Sequence, residues 1–355
     1  MPLLKLAILG AGNVAESYIR QIRRLRESGI EVELAALCSR TAGPAKTLAD
    51  RFDIPWHGTD MKAVLGRGEI DAVIILTPMQ LHAAHARAAL LAGKHVFSEK
   101  TLATTASEGY ELAAHARSRN LCLAAAPFTT LSPTFRDAHR RISSGEIGTP
   151  HACRAFYGWH GPDWSSWFHE QGAGALRDLG VYALTTLTGL LGPVRTVFAL
   201  GSTSGEATDI AQLSLGFANG CTGTLTAGYG IQKYRTNGIE IYGSTGTLQF
   251  MGPDWDPKGL ELWTNDEGCW RQFEADGSWP WTDGLRDFAT SIIAHRPPEM
   301  QLSLSLHVLE IIDKALASRA SGRAVSVESS FDPLTVSAQA DRSELHLKHN
   351  PLTFT

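Results

Sequence analysis

Over the first 126 residues, short and continuously apolar runs at 4–9, 32–37, 72–76, 95–97 and 121–126 alternate with longer stretches of helical spacing at 15–28, 43–52, 81–92 and 107–118. Strand and helix in strict alternation predict parallel βαβ units joined by right-handed crossovers. Runs that are apolar throughout, rather than at every second position, fit strands covered on both faces. The pattern predicts a doubly wound α/β domain of the Rossmann type over 1–126. Beyond Pro127 the spacing changes. A helix at 133–143 ends at Ser144-Gly145, and strand-like segments follow at 151–158, 195–201, 210–217, 223–228, 238–242 and 247–250, several of them separated by Gly-Ser or Asn-Gly turns. Helical spacing returns at 173–191, 283–295 and 302–320. This half predicts an α+β domain over 127–330, with 331–355 left as a tail.

Charge narrows the class. Lys and Arg total 32 against 36 Asp and Glu, a net charge of -4, which argues against a basic nucleic-acid binder. Residues 1–126 hold 15 basic and 12 acidic side chains, so the mildly positive half is the one predicted to take an anionic ligand. The five cysteines, at 38, 122, 153, 221 and 269, have no metal-clip spacing and predict free thiols and no metal site. No apolar run approaches the roughly 20 residues of a membrane span. A strand-like segment begins within a few residues of Met1. The expectation is a cytoplasmic protein with no membrane or nucleic-acid partner.

Four motifs carry chemistry. Gly10-Ala11-Gly12-Asn13-Val14-Ala15 follows the first strand and opens a helix. Gly10 permits the tight turn, Gly12 admits a pyrophosphate, and the helix start attracts its charge. The second strand ends at Ser39-Arg40, where an NAD-selective site usually has an acidic residue for the ribose hydroxyl. A hydroxyl and a guanidinium suit a 2′-phosphate, so NADP is favoured and NAD remains the alternative. Thr77, Pro78 and His82, then Glu99 and Lys100, follow strands at their carboxyl ends, where open α/β sheets bind ligands. Lys100 there could hold an alkoxide or lower a neighbour's pKa. Finally, Asp178 and Tyr182 are four residues apart in 173–191. One helical face would present both, an acid and a phenol suited to proton transfer and hydroxyl recognition. A capped core helix with a buried tyrosine has the same spacing.

Eight of the nine tryptophans lie between Trp159 and Trp281. Most read as core or interface. Trp164 and Trp167 share the Gly- and Pro-bearing segment 158–170 with Trp159, and that loop suits the apolar face of a sugar ring.

Together these motifs, with Ser144–Gly148 and 239–248, resemble the glucose–fructose oxidoreductase/inositol dehydrogenase (Gfo/Idh/MocA) family over about residues 4–327. The resemblance implies a Rossmann domain, a second α+β domain with a large open and mainly antiparallel sheet, and a nicotinamide between them. It also implies a homodimer or homotetramer through that sheet. Two positions depart from the family pattern: Thr101 stands where Glu-Lys-Pro is usual, and Tyr182 replaces the usual histidine, with Thr185 in place of a later acid. A tyrosine at 182 is similar to the branch that includes dihydrodiol and xylose dehydrogenases. The resemblance therefore implies hydride transfer between NADP or NAD and a secondary alcohol or carbonyl of a sugar, polyol or cyclitol. In that reading Tyr182 exchanges the hydroxyl proton, Lys100 stabilises its phenolate, and Asp178 orients Lys100 or substrate. Two other readings stay open: an NAD-dependent glycoside-cleaving enzyme with no net redox change, and a non-catalytic protein that senses sugar or cofactor.

Overall fold

The computed structural model describes residues 3–202, 209–232, 238–275, 277, 279–336 and 345–348. Contacts divide the chain into two compact units, Met1–Phe128 with Thr282–Leu302, and Thr129–Trp281 with Ser303–Thr355.

The first unit is built on six strands: β1 (Leu4–Leu9), β2 (Val32–Cys38), β3 (Trp56–Gly58), β4 (Ala72–Ile75), β5 (His95–Ser98) and β6 (Leu123–Ala125). All pair in parallel, in the order β3-β2-β1-β4-β5-β6. That order reverses direction between β1 and β4, so the loops leaving these two strands open a crevice at their carboxyl ends. The interior strands are buried on both faces, as continuous apolar runs require. The short edge strand β3 escapes sequence reading because Trp56-His57-Gly58 has neither the length nor the apolar run of its neighbours.

A helix from the far end of the sequence belongs to this unit. The sequence pattern places 283–295 in the second domain, but Gly284–Ile293 packs on the first. The reason is aromatic. Phe97 lies 4.9 Å from Phe128 in a stack, and 5.5 Å from Phe288 and from Tyr18 in edge contacts. A Cβ on Gly284 would fall 2.1 Å from the Phe128 ring, so only glycine lets the returning helix close on that cluster.

The second unit carries a ten-stranded sheet made of β7 (Pro150–Trp159), β8 (Val194–Ser202), β9 (Ile210–Phe217), β10 (Thr222–Tyr229), β11 (Ile239–Gly243), β12 (Gly246–Met251), β13 (Gly259–Thr264), β14 (Trp270–Glu274), β15 (Val325–Ser326) and β16 (His346–Leu347). Their order is β15-β8-β9-β10-β7-β11-β12-β13-β14-β16. Among the described residues β7 and β10 run parallel and the other neighbours antiparallel. Burial alternates along β9, β10 and β12, so one face is buried and the other open. Part of the expected tail is structured: Phe331 packs 5.3 Å from His307, and β16 pairs with β14. Residues 337–344 and 349–355 of that tail lie outside the described residues. No helix among the described residues is long and apolar enough to cross a membrane, and no cluster of His, Cys, Asp and Glu among them could hold a metal.

Candidate active site

In the first unit the chain leaves β1 through Gly10, whose φ is +113°. A Cβ at Gly10 would sit 2.6 Å from the Leu76 carbonyl oxygen at the end of β4, so glycine is required twice over, for conformation and for space. Gly12 differs: nothing lies within 4 Å of a Cβ built there. The helix Ala15–Glu27 then begins at Val14 with no side chain capping its first turn. Open space beside uncapped N–H groups at the strand-order reversal fits a dinucleotide pyrophosphate. Asn13 and Val14 complete the turn before the helix.

At the end of β2, the Ser39 hydroxyl donates to the Thr41 carbonyl at 2.5 Å, and its N–H donates to Gly58. Arg40 is exposed. The following helix, Ala42–Phe52, also starts without a side-chain cap or an acidic residue in its first turn.

The loops leaving β4 and β5 are fastened to each other through His82. Its Nε2 lies 2.6 Å from the Thr77 carbonyl oxygen and its Nδ1 2.7 Å from that of Thr101. The ring is buried, and burial holds the imidazole below its ordinary range although both carbonyls favour the charged form. With its two nitrogens against these two carbonyls, His82 ties Thr77-Pro78 to the loop after β5. The Thr77 hydroxyl lies 3.0 Å from His85 Nδ1. On the other side, Tyr18 donates to Glu99 Oε1 at 2.5 Å, and Glu99 Oε2 accepts the Lys100 N–H at 3.0 Å. Lys100 thus stands between a carboxylate fixed by Tyr18 and a carbonyl fixed by His82. The Lys100–Thr101 peptide is cis, and the Thr101 hydroxyl donates to the Ala103 carbonyl.

In the second unit the expected helix over 173–191 is two elements. A π turn covers Leu176–Gly180 and an α-helix covers Val181–Leu191. Such single wide turns concentrate at functional sites. Asp178 lies in the π turn and is buried, while Tyr182 lies in the first turn of the α-helix and is half-buried. Tyr229, at the end of β10, donates to Asp178 Oδ2 at 2.9 Å. Burial, then the Asp178 charge, keeps the Tyr229 phenol well above the ordinary tyrosine range, so it is a donor and not a base. Sequence reasoning missed Tyr229. The signal was the two-residue period of β10, in which Tyr229 continues the inward side of Leu225 and Ala227.

The aromatic loop follows β7, the strand beside β10. Trp164 packs 5.2 Å from Trp159 and 5.7 Å from Phe168, and Trp167 stacks on Phe168 at 3.7 Å. Trp164 is 53% exposed. The Trp159 indole Nε1 is buried without a hydrogen-bond partner among the described residues.

Known proteins share both parts. The oxidoreductase family with an NAD-binding Rossmann fold matches residues 4–126, and the Gfo/Idh/MocA C-terminal domain matches residues 135–249. A trans-1,2-dihydrobenzene-1,2-diol dehydrogenase of Bos taurus is 27% identical over 266 residues, which cover 72% of this chain and 77% of that protein. A 1,5-anhydro-D-fructose reductase of Ensifer adhaerens is 26% identical over 339 residues, covering 90% of this chain and 98% of its own. The fold matches that of a levoglucosan dehydrogenase solved with NADH, with a TM-score of 0.83 at 22% identity, over 92% of this chain and 99% of the other. The chain belongs to the Gfo/Idh/MocA family of NAD-binding oxidoreductases.

Proposed function

We propose that the protein moves hydride between a nicotinamide dinucleotide, NADP in preference to NAD, and a secondary alcohol or carbonyl of a sugar or cyclitol. The observation that carries this reading is the open space at Gly12 beside an uncapped helix start at the strand-order reversal. The bound dinucleotide would supply the hydride acceptor or donor. Gly10, Gly12, Asn13 and Val14 bind its pyrophosphate, and Thr77, Pro78 and Glu99 line its remaining length. NADP preference rests on exposed Arg40 and the uncapped start of Ala42–Phe52, which together suit a phosphate monoester. Ser39 has a smaller part, because its hydroxyl proton is already given to Thr41. Tyr182 exchanges the proton of the reacting hydroxyl, Lys100 supplies the positive charge that this exchange needs, and Asp178 orients them. Trp164 and Trp167 present apolar faces to a sugar ring, and Trp159 Nε1 is a spare donor for one of its hydroxyls. The relatives named for a diol and an anhydro sugar support that substrate class.

The open sheet face is the proposed site of self-association. Register lines up Phe198, Ser214, Thr224, Arg154, Glu240, Gln249 and Glu261 across seven strands. Burial pushes the Glu261 carboxyl above its ordinary range, and Arg154 pairs with Glu240. Five free thiols fit a reducing, cytoplasmic setting.

The test is reduction of NADP or NAD by purified protein across D-glucose, D-xylose, myo-inositol and levoglucosan, with 1,5-anhydro-D-fructose tested in the reverse direction. Turnover with NADP favoured supports the reading; cleavage of a glycoside without net cofactor reduction, or binding without turnover, overturns it.

A further inference from the structure

Asp178 does not hold its own position. It lies in a π turn whose backbone bonds do not fix a carboxylate, and one side chain that grips it comes from 51 residues later in the chain. Tyr229 is itself held from several sides. Its N–H donates to the Asp209 carbonyl at 2.7 Å, and its register partner on β7 is Trp159. The His169 ring meets its ring edge-on at 5.4 Å, with Nδ1 3.5 Å from Asp209 Oδ1. The turn lies directly against the same strand. A Cβ on Gly180 would fall 2.7 Å from Leu176 Cδ1 and 3.3 Å from Ala227 Cβ, so glycine leaves room for the turn's own leucine while the π turn packs on β10 two residues from Tyr229. Strand, turn and hydrogen bond are packed together, and they carry Asp178 with Tyr182 in the next turn of helix.

We propose that Tyr229 is a positioning residue of the reaction: its hydroxyl fixes the Asp178 carboxylate, and Asp178 in turn aligns the proton exchange at Tyr182. The inference rests on the redox reading above and adds a residue to it. Tyr229 moves no proton. Its phenol is held protonated by burial and by the charge beside it, so it serves as a permanent donor. A charge-assisted hydrogen bond of this kind also offsets the burial of a carboxylate.

The experiment is a double-mutant cycle of Tyr229→Phe and Asp178→Asn in the full-length protein, read as single-turnover hydride transfer and as kcat and KM with the best substrate of the panel above. Tyr229→Phe keeps the ring and its packing. Acting through Asp178, it lowers kcat about tenfold, leaves the dissociation constant for NADP unchanged, and costs nothing more when Asp178 is already Asn. An equal loss in both backgrounds, or a loss confined to KM, makes Tyr229 merely structural and overturns the proposal. A second measurement needs no substrate. The Tyr229 ring-carbon NMR resonance, identified by its disappearance in Tyr229→Phe, shifts in Asp178→Asn; an unmoved resonance means that the hydrogen bond is absent and overturns the proposal. Failure of the redox reading has a different signature: the unaltered protein reduces neither NADP nor NAD with any substrate of the panel, while the Tyr229 resonance still shifts in Asp178→Asn.

Discussion

Lys100 and Asp178 are secured by opposite means. Around Lys100 the first unit uses side chains to hold backbone: His82 grips the carbonyls of Thr77 and Thr101, and Glu99, itself held by Tyr18, grips the Lys100 N–H. The lysine's path is fixed by buried groups, His82, Glu99 and Tyr18, that hold the backbone on either side of it. Around Asp178 the second unit uses one side chain to hold another, Tyr229 to carboxylate, with a sheet behind both. The first arrangement suits a ligand bound largely by backbone, such as the length of a dinucleotide beyond its pyrophosphate. The second suits a ligand whose hydroxyls are selected one at a time, because moving one strand residue re-aims one functional group.

The comparison is tested most severely by removing the groups proposed to react. Tyr182→Phe removes one hydroxyl from a half-buried ring, so the fold should survive while hydride transfer falls about 10²–10⁴-fold. Lys100→Met should be at least as damaging, and the pair far less than multiplicative, since residues acting as one unit are not additive. Single-turnover kinetics decide it: a Tyr182→Phe enzyme that loses less than about tenfold makes Lys100 the proton carrier.

Next come the two glycines of the first turn, which should fail differently. Gly10→Ala meets the Leu76 carbonyl and a φ of +113°, so it should cost about 1–3 kcal/mol of stability and lower the melting temperature of the free protein. Gly12→Ala meets open space, so the free protein should melt normally but lose the stabilisation that NADP provides. Thermal melts of both variants with and without NADP separate fold from site; identical behaviour would remove the pyrophosphate assignment from Gly12.

This pair also shows why the first unit is legible in the sequence and the second is less so. Gly10, Gly12 and the helix they open are within a few residues of each other, and their chemistry is local. Tyr229 and Asp178 are 51 residues apart, and nothing in either segment names the other. The helix Gly284–Ile293 is a stronger case. Its attachment to the first unit depends on Phe288 meeting Phe97, a packing choice that amphipathic spacing cannot reveal. The π turn was hidden for a related reason: Leu176–Gly180 has helical spacing, and the wide turn departs from it by one hydrogen bond.

A smaller effect is expected at the cofactor's far end. Arg40→Ala should weaken NADP by about 1.5–3 kcal/mol and leave NAD nearly unchanged. Comparing kcat/KM for the two cofactors in both proteins checks it. Equal use of NADP and NAD by the unaltered protein, insensitive to the substitution, would assign the 2′-phosphate preference to neither Arg40 nor the helix behind it.

The smallest effect is predicted for the aromatic loop, and here the two tryptophans should separate. Trp167 stacks on buried Phe168 at 3.7 Å, whereas Trp164 is 53% exposed and touches Trp159 and Phe168 by edge or tilted contacts. Removing Trp167 therefore disturbs loop packing as well as any ligand contact. Removing Trp164 takes away mainly surface that faces solvent. One aromatic face against a sugar ring contributes about 0.5–1.5 kcal/mol, which is a two- to roughly tenfold change in affinity. Trp164→Ala should raise substrate KM within that range, with kcat, melting temperature and NADP binding unchanged. Trp167→Ala should raise KM and also lower the melting temperature. A Trp164→Ala protein with unaltered KM would make the loop structural and leave hydroxyl recognition to the Asp178–Tyr229 side of the second unit.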